Sequence, residues 1–372
     1  MNSETPRKPI LLAVLLAVVG VTLLVVLTNA RRQPPAELPP PKLVRDSANY
    51  HYTPAARKVS AEANTNDIVL EVPEDPFAAL RLPREKAEAW LAKHHRDAAS
   101  LLTVFRAQQD TNYLNEAATN FPNDPRVQIA VLSRYAYPEE RRKWLDEFKQ
   151  SSPSNSLADY FSAQNYFQEG KTEEALQDLL AASGKPQFDN HALENQLDTE
   201  ELYSDAGKTA RESATLGLSS MAQESSPQLG IAKQVAQGIA EVMKQKSAAG
   251  DAEATGQLAQ LGLGLSDKLN SGDSGKFLIN QLVGMATEQV MLRQLDKNTT
   301  YDFLGGKTPA QVSAELKQQK KDFIQGFPNF QAVEGQMTDA EMASYVQRMK
   351  IYGETAALKW AAELHPPTDT QP

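Results

Sequence analysis

The chain contains no cysteine, and its 372 residues include only five histidines. Without cysteine there can be no disulfide bond, no thiol nucleophile and no cysteine-ligated metal site. Basic residues are also in the minority, with 38 lysines and arginines against 47 aspartates and glutamates and a net charge of −9. Because no long basic run occurs outside the flanks of the one long apolar segment, the sequence is not expected to bind nucleic acid.

Strand-like alternation of apolar and polar residues is nearly absent from Pro83 onward. Apolar residues recur instead at helical spacing, as in the stretch 84–109. One face of that stretch carries Ala87, Trp90, Leu91, His94, Ala98, Leu101 and Phe105. We therefore expect an all-α fold that includes an amphipathic helix over 84–109.

One uncharged hydrophobic run, Ile10 to Thr28, would be about 28 Å long as a helix, which matches the hydrocarbon thickness of a bilayer. The sequence predicts a single transmembrane helix here, after a tail at 1–9. The alternative is a cleaved signal peptide ending near Ala30, but the run exceeds the usual apolar length of such peptides, and Arg31 and Arg32 follow at once. Counting flanking charges places the C-terminal region inside, whereas the very short N-terminal tail favours the extracytoplasmic side, which is our expectation.

Residues 29–75 are expected to form a linker. Five prolines fall between positions 34 and 41, a composition typical of extended polyproline II. Only "DIVLEV" at 67–72 suggests a short extended piece. The linker would hold the folded region, beginning near residue 76, away from the membrane.

The stretch "SLADYFSAQNYFQEGKTEEALQDLLAAS" at 156–183 has the pattern of a stacking helical hairpin. Ala163 and Tyr166 lie on the first helix, Gly170 stands at the turn, Ala175, Leu179 and Ala182 lie on the second helix, and Pro186 follows. Small residues at the seam, larger apolar residues beside them and a turn former between are what such a hairpin needs. The stretch resembles one tetratricopeptide repeat, a unit of about 34 residues.

A second unit precedes it with an offset of 31 residues. The offset sets Pro122 against Pro153, Leu132 against Ala163, Tyr135 against Tyr166 and Phe148 against Leu179. This unit departs from the pattern at its turn, where Pro138 and Glu139 replace glycine, and at Trp144, where a small residue is expected. The resemblance covers about two degenerate repeats, residues 111–190, within an expected helical domain at 76–203. It implies a helical scaffold that binds peptides or proteins.

The C-terminal half differs in composition. Residues 204–300 contain eleven of the nineteen glycines, with Phe277 as the sole aromatic and Pro227 as the sole proline. Apolar spacing predicts three helices there, marked by Ile231 to Val242, Leu258 to Leu269 and Leu278 to Leu292. Residues 301–372 are expected to supply two more helices, starting at Thr308-Pro309 and at the capping box Thr338–Glu341, before a disordered tail. "Gly326-Phe327-Pro328" is expected to separate those two helices.

None of the patterns associated with catalysis is complete. Gly207, Gly275 and Gly306 precede lysines but lack the glycine that a phosphate-binding loop needs five residues earlier. "GDSG" at 272–275 resembles a serine-protease segment, yet Lys276 replaces its next glycine. His94 and His95 are adjacent and point about 100° apart on a helix, so they are poorly placed to share a metal. We therefore expect no enzyme, cofactor or metal site.

The sequence favours a non-catalytic, membrane-anchored adaptor that presents a concave helical groove to a protein partner. First helices of the hairpins would line the groove. The candidate partner-binding residues are Tyr160, Gln164, Asn165, Gln128 and Arg134. The alternative is a homo-oligomerising envelope structural protein built on the helices at 204–364.

Overall fold

The computed structural model describes residues 82–366, except the side chains of 222–226 and 325–334. Their regular structure is helical, and extended pairing in this part of the chain is confined to two isolated bridges. The all-α prediction is therefore confirmed for the described residues. The chain divides into two units, Met1–Ala79 and Leu80–Pro372, and all described residues belong to the second.

The α-helices are named here in chain order. They are α1 (Arg84–Lys93), α2 (Ala98–Gln108), α3 (Thr111–Asn120), α4 (Pro125–Arg134), α5 (Arg141–Ser151), α6 (Leu157–Gln168), α7 (Thr172–Ser183), α8 (Ala192–Asp205), α9 (Ala210–Ala248), α10 (Ala252–Asn270), α11 (Leu278–Leu292), α12 (Pro309–Glu334), α13 (Asp339–Tyr352) and α14 (Glu354–Leu364). Short 3₁₀ turns lie at Pro138–Glu140, Ser274–Lys276 and Asp302–Leu304.

Short polar side chains begin several of these helices. Asp97, Asp124 and Asp251 each accept a hydrogen bond from a backbone N–H in the first turn of α2, α4 and α10. Thr209 and Thr338 form complete capping boxes at α9 and α13. Such caps satisfy donors that have no partner within the helix, so the starts of these helices are encoded locally.

The hairpins predicted from the sequence are present as packed helix pairs. Helix α4 packs on α5 and α6 packs on α7, and α5 also contacts α6. Ala163, Ala175 and Ala182 are fully buried at the seam, and Gly170 makes the turn with a φ of +74°. Trp144 is buried and stacks on Tyr137 with a ring separation of 5.8 Å, so the bulky residue fits between the helices of the earlier pair.

Three predictions about helix boundaries were wrong. The stretch 84–109 is two helices, because His95 and Arg96 adopt left-handed φ angles of 55° and 51° and Asp97 then caps α2. Helix α12 continues through 326–328, where a break was expected. The last expected helix is two, α13 and α14, which Gly353 separates with a φ of +90°.

The longest described helix, α9, has 39 residues and a length of about 58 Å. It packs along α8, α10 and α11, and also against α6, α4 and α13. Val235 and Ile239 are fully buried, and Gly238 lies so close to α6 that an added Cβ would come within 2.6 Å of the Phe167 ring. The chain's own helix thus covers the face of α6 that we expected to be an open groove.

A second, smaller hydrophobic cluster joins α13 and α14 to the rest. It is rich in methionine, with Met337, Met342 and Met349 buried around Tyr345 and Phe277. Lys350 of α13 reaches Glu200 of α8 at 2.6 Å. Helices from the expected regions 76–203, 204–300 and 301–372 therefore pack together. The domain boundaries expected at 203 and 300 stay predictions.

Among residues 82–366, no helix is long and apolar enough to cross a membrane. The expected span at 10–28, the linker at 29–75 and most of the C-terminal tail lie outside the described residues.

Replacing Gly238 with valine is expected to lower the free energy of unfolding by about 1–3 kcal/mol, because the new atoms would force Phe167 and α6 apart. The matched control is Gly230→Val on the same helix, where nothing lies within 4 Å of an added Cβ. Its stability should stay within about 0.5 kcal/mol of the parent. Urea unfolding followed by circular dichroism measures both, and equal stabilities for the two variants would contradict the close approach.

Glu354 generates a pH-dependent prediction. Its carboxylate accepts a hydrogen bond of 2.8 Å from the backbone N–H of Leu278 at the start of α11, yet burial raises its pKa above the ordinary 4.5. A carboxyl whose pKa is raised by folding binds its proton more tightly in the folded state. Stability therefore falls as pH rises from about 4.5 through the folded-state pKa. Glu354→Gln keeps an acceptor oxygen without the charge and should become increasingly more stable than the parent over that range.

Glu212 is the control of opposite sign. The backbone N–H of Thr209 lowers the pKa of Glu212, so its contribution is present above pH 4.5 and is lost as pH falls through the folded-state pKa. Glu212→Gln should therefore become less stable than the parent as pH rises. Urea unfolding at a series of pH values measures both differences, and slopes of the same sign would contradict these assignments.

Candidate functional site

The five candidate partner-binding residues lie on the two first helices of the hairpins. Gln128 and Arg134 belong to α4, and Tyr160, Gln164 and Asn165 belong to α6. Four of them are buried, and only Arg134 is exposed. The expectation that all five line an open groove is therefore wrong, and their role in partner binding stays a prediction.

Gln128 is fully buried and joins three segments. Its Nε2 donates to the carbonyl oxygen of Pro122 at 2.9 Å, and its Oε1 accepts from the Ser151 hydroxyl at 2.6 Å. These bonds connect the junction before α4 to the C-terminal end of α5. With both ends of its amide engaged, Gln128 acts as a structural link in this conformation.

The three candidates on α6 lie beneath other parts of the chain. Gln164 Nε2 donates to Gln234 Oε1 of α9 at 2.6 Å, so the side chain is used within the fold. Tyr160 packs against Phe188, and burial raises the pKa of its hydroxyl. Asn165 is 8% exposed. A partner approaching α6 from outside would meet α9 first.

The face of α4 retains an open recess, bounded also by the start of α8 and by α9. It is shallow and open to solvent, and its enclosed space is about 10 Å³, enough for about one water molecule. Polar side chains surround a small apolar floor. We call this surface the α4 recess; it is lined by Arg126, Ile129, Ala130, Ser133, Arg134, Asn190, Asn195 and Gln228.

The two arginines of the α4 recess differ in how closely carboxylates approach them. Arg126 lies 3.5 Å from a carboxylate oxygen of Asp124 and 3.9 Å from one of Asp198. Burial raises the pKa of Asp198, although the charges of Arg106 and Arg126 oppose the rise. Arg134 has no carboxylate within 4.0 Å among the described residues, and its guanidinium lies 5.6 Å from the Phe105 ring centre. Because two carboxylates lie beside Arg126, Arg134 is the cation of the recess with no carboxylate nearby in the described part of the chain.

Amides and a hydroxyl supply hydrogen bonds. Asn190 Nδ2 donates to Gln228 Oε1 at 2.8 Å, which ties the start of α8 to α9. The buried Ser133 Oγ has no hydrogen-bond partner in the described part of the chain. A bound group could therefore find a donor and an acceptor here without displacing every bond within the protein. The lining contains no histidine or carboxylate, so the arrangement suits binding rather than acid–base catalysis.

His94 lies at the C-terminal end of α1 and contacts its own helix. His94 stacks on Trp90 with ring centres 3.7 Å apart. Its Nε2 lies 3.9 Å from Glu201, and Asp205 is nearby, so three ligand types for a metal come together. The ammonium group of Lys93, however, pairs with both carboxylates and already supplies the positive charge that a metal would bring.

Sequence reasoning missed most of the α4 recess. Arg126, Ala130 and Arg134 recur at intervals of four on one helix, and that spacing was a readable sign of a shared basic face. Asn190 and Gln228, by contrast, come from segments far along the chain, which only the packing of α8 and α9 brings to α4.

Comparisons with protein-family models, with curated proteins and with solved structures find no match to this chain. Its function must therefore be argued from its own geometry.

Proposed function

We propose that this protein is a non-catalytic, membrane-anchored scaffold that holds a protein partner through its tetratricopeptide-like hairpins, with the α4 recess as the contact point. The observation that carries the proposal is the exposed Arg134, which has no carboxylate within 4.0 Å among the described residues. It lies on a face of α4 that α9 leaves accessible, next to the Ser133 hydroxyl, which has no hydrogen-bond partner in the described part of the chain. The covered face of α6 is not part of the contact.

The chemistry of the α4 recess indicates the kind of partner segment. Guanidinium groups bind carboxylates through two parallel hydrogen bonds, and side-chain amides pair well with a peptide backbone. Because the recess encloses room for only about one water molecule, a partner segment would lie across its mouth and contact Arg134 there. The partner is therefore expected to present a short segment that carries an aspartate or glutamate.

The anchor is the second part of the proposal and rests on the uncharged run at 10–28. Leu15→Arg combined with Val18→Arg should release the full-length protein from membranes into alkaline carbonate, since each central arginine disfavours insertion by about 2.5–3.5 kcal/mol. Val18→Leu is the control and should stay membrane-bound. An intact mass corresponding to cleavage after Ala30 would contradict the anchor, and protease treatment of intact cells reports which side the folded region occupies.

The partner contact is tested by crosslinking in the native host cell followed by capture of the tagged full-length chain. Arg134→Glu should reduce capture of the partner about tenfold, because it replaces attraction for a carboxylate with repulsion. The matched control is Arg348→Glu on α13, an exposed arginine whose guanidinium lies 4.7 Å from the Trp360 ring centre. Capture that falls equally in both variants, or in neither, would contradict the α4 recess as the contact.

One observation favours the alternative, a homo-oligomer built on the C-terminal helices. Ile351, Tyr352 and Leu364 of α13 and α14 are 51%, 66% and 43% exposed, which is unusual for large apolar side chains. The same crosslinking experiment separates the two functions. If the captured protein is a second copy of this chain, and Tyr352→Glu rather than Arg134→Glu abolishes the capture, the homo-oligomer replaces the adaptor.

A further inference from the structure

The first residue of α5, Arg141, is buried with a side chain that is largely unpaired. It is 7% exposed, and its Nη1 donates to the Leu132 carbonyl oxygen at 2.8 Å near the C-terminal end of α4. Its Nε and Nη2 are also buried and have no hydrogen-bond partner among the described residues. No carboxylate of the described residues lies within 4.0 Å of this guanidinium.

This arrangement is costly. An ionised group that is buried without a counterion typically destabilises a protein by several kcal/mol, so buried charges are normally paired. Burial lowers the pKa of Arg141, and the neighbouring charge of Arg142 lowers it further. Arginine nevertheless stays protonated at neutral pH, because a guanidinium loses its proton only in strongly alkaline solution. The bond to Leu132 and the cation–π contact with the Tyr135 ring offset part of the cost, and no carboxylate among the described residues pairs with the charge.

A second guanidinium lies beside the first. Arg142 binds Asp146 at 3.0 Å and the Ser162 hydroxyl at 2.7 Å, but its Nη1 is buried without a hydrogen-bond partner in the described part of the chain. Arg142 also stacks on the Tyr166 ring of α6 at 4.5 Å, whereas Arg141 contacts the end of α4, so the two guanidinium groups face different helices. The Nε and Nη2 groups of Arg141 are the pair of donors from one guanidinium that an oxyanion accepts.

The Tyr135 ring covers the Arg141 guanidinium. Its ring centre lies 4.0 Å from the Arg141 guanidinium carbon, and the residue is 44% exposed. It has a left-handed φ of +52°, which a non-glycine residue adopts at some cost in free energy. Its hydroxyl is held only by a long bond of 3.4 Å from Gln164. Rotation of this side chain is the shortest route by which a small solute reaches Arg141.

We propose that Arg141 binds one oxyanion, phosphate or carboxylate, beneath the Tyr135 ring. The anion accepts hydrogen bonds from Nε and Nη2 of Arg141. The site is separate from the α4 recess and goes beyond the scaffold function. It links anion binding to the turn between α4 and α5, because the same guanidinium holds the last turn of α4.

The test uses the full-length protein in a nonionic detergent and measures its unfolding temperature in sodium phosphate, sodium acetate and sodium chloride at equal ionic strength. Phosphate, acetate or both should raise the unfolding temperature by at least about 2 °C relative to chloride, with a saturable dependence on concentration. A rise in phosphate alone identifies a phosphate site, and a rise in both identifies a general oxyanion site. No difference from chloride in either anion would overturn the proposal.

Two variants separate anion binding from a structural role of Arg141. Arg141→Lys keeps the positive charge but lacks the planar pair of donors at Nε and Nη2, so the anion-dependent rise should disappear, whereas the control Arg348→Lys should keep it. Tyr135→Ala uncovers the guanidinium and should shift the half-saturating anion concentration at least about threefold lower. Tyr135→Ala also tests the anion site if the Arg141→Lys variant does not fold. An anion response in Arg141→Lys equal to that of the parent, or a weaker response in Tyr135→Ala, would contradict the assignment.

Discussion

The close approach of α9 to α6 decides which surfaces of this protein are available. Gly238 lets the two helices meet at a distance that excludes even a methyl group, and Val235 and Ile239 complete a fully buried seam. Hydrophobic burial on this scale is what keeps a long glycine-containing helix in one place, since glycine and Pro227 both weaken helices on their own. The helix thereby occupies the inner face that an open hairpin array would offer to a peptide.

The same seam explains why a recess remains on α4. Helix α9 contacts α4 less extensively than α6, and beside this gap a polar bond from Asn190 to Gln228 ties the start of α8 to α9. Polar bridges leave hydrogen-bonding capacity unused, as at Ser133, and they leave Arg134 in contact with solvent. A candidate binding surface thus arises where apolar packing stops, and its exposed Arg134 has no carboxylate within 4.0 Å among the described residues.

The α4–α5 turn combines a structural and a ligand-directed role in one side chain. Arg141 binds the end of α4 through one N–H, and the other buried donors have no partner within the described structure. Contrast this with the buried Asp159, which lies 3.9 Å from Lys149 and also pairs with Lys185. Asp159 thus has cations beside it, whereas the Arg141 guanidinium has no carboxylate within 4.0 Å among the described residues. Its unpaired donors are the basis of the proposed anion site.

The sequence by itself determined what depends on neighbours along the chain. Helical spacing, the Thr338 capping box and the turn at Gly170 predicted the all-α fold, the start of α13 and the hairpin α6–α7, because each is set by contacts within a few residues. The break at His95–Arg96 was not predicted, because helix propensity does not show where the backbone adopts left-handed φ angles. The continuity of α12 was not predicted either, because glycine and proline usually end a helix but do not do so here. Only the tertiary structure decided which polar residues face solvent. Gln164 and Arg134 are both polar residues on first helices, but α9, about 70 residues further along the chain from Gln164, buries Gln164 and leaves Arg134 exposed. That choice rests on long-range packing, which no local pattern encodes.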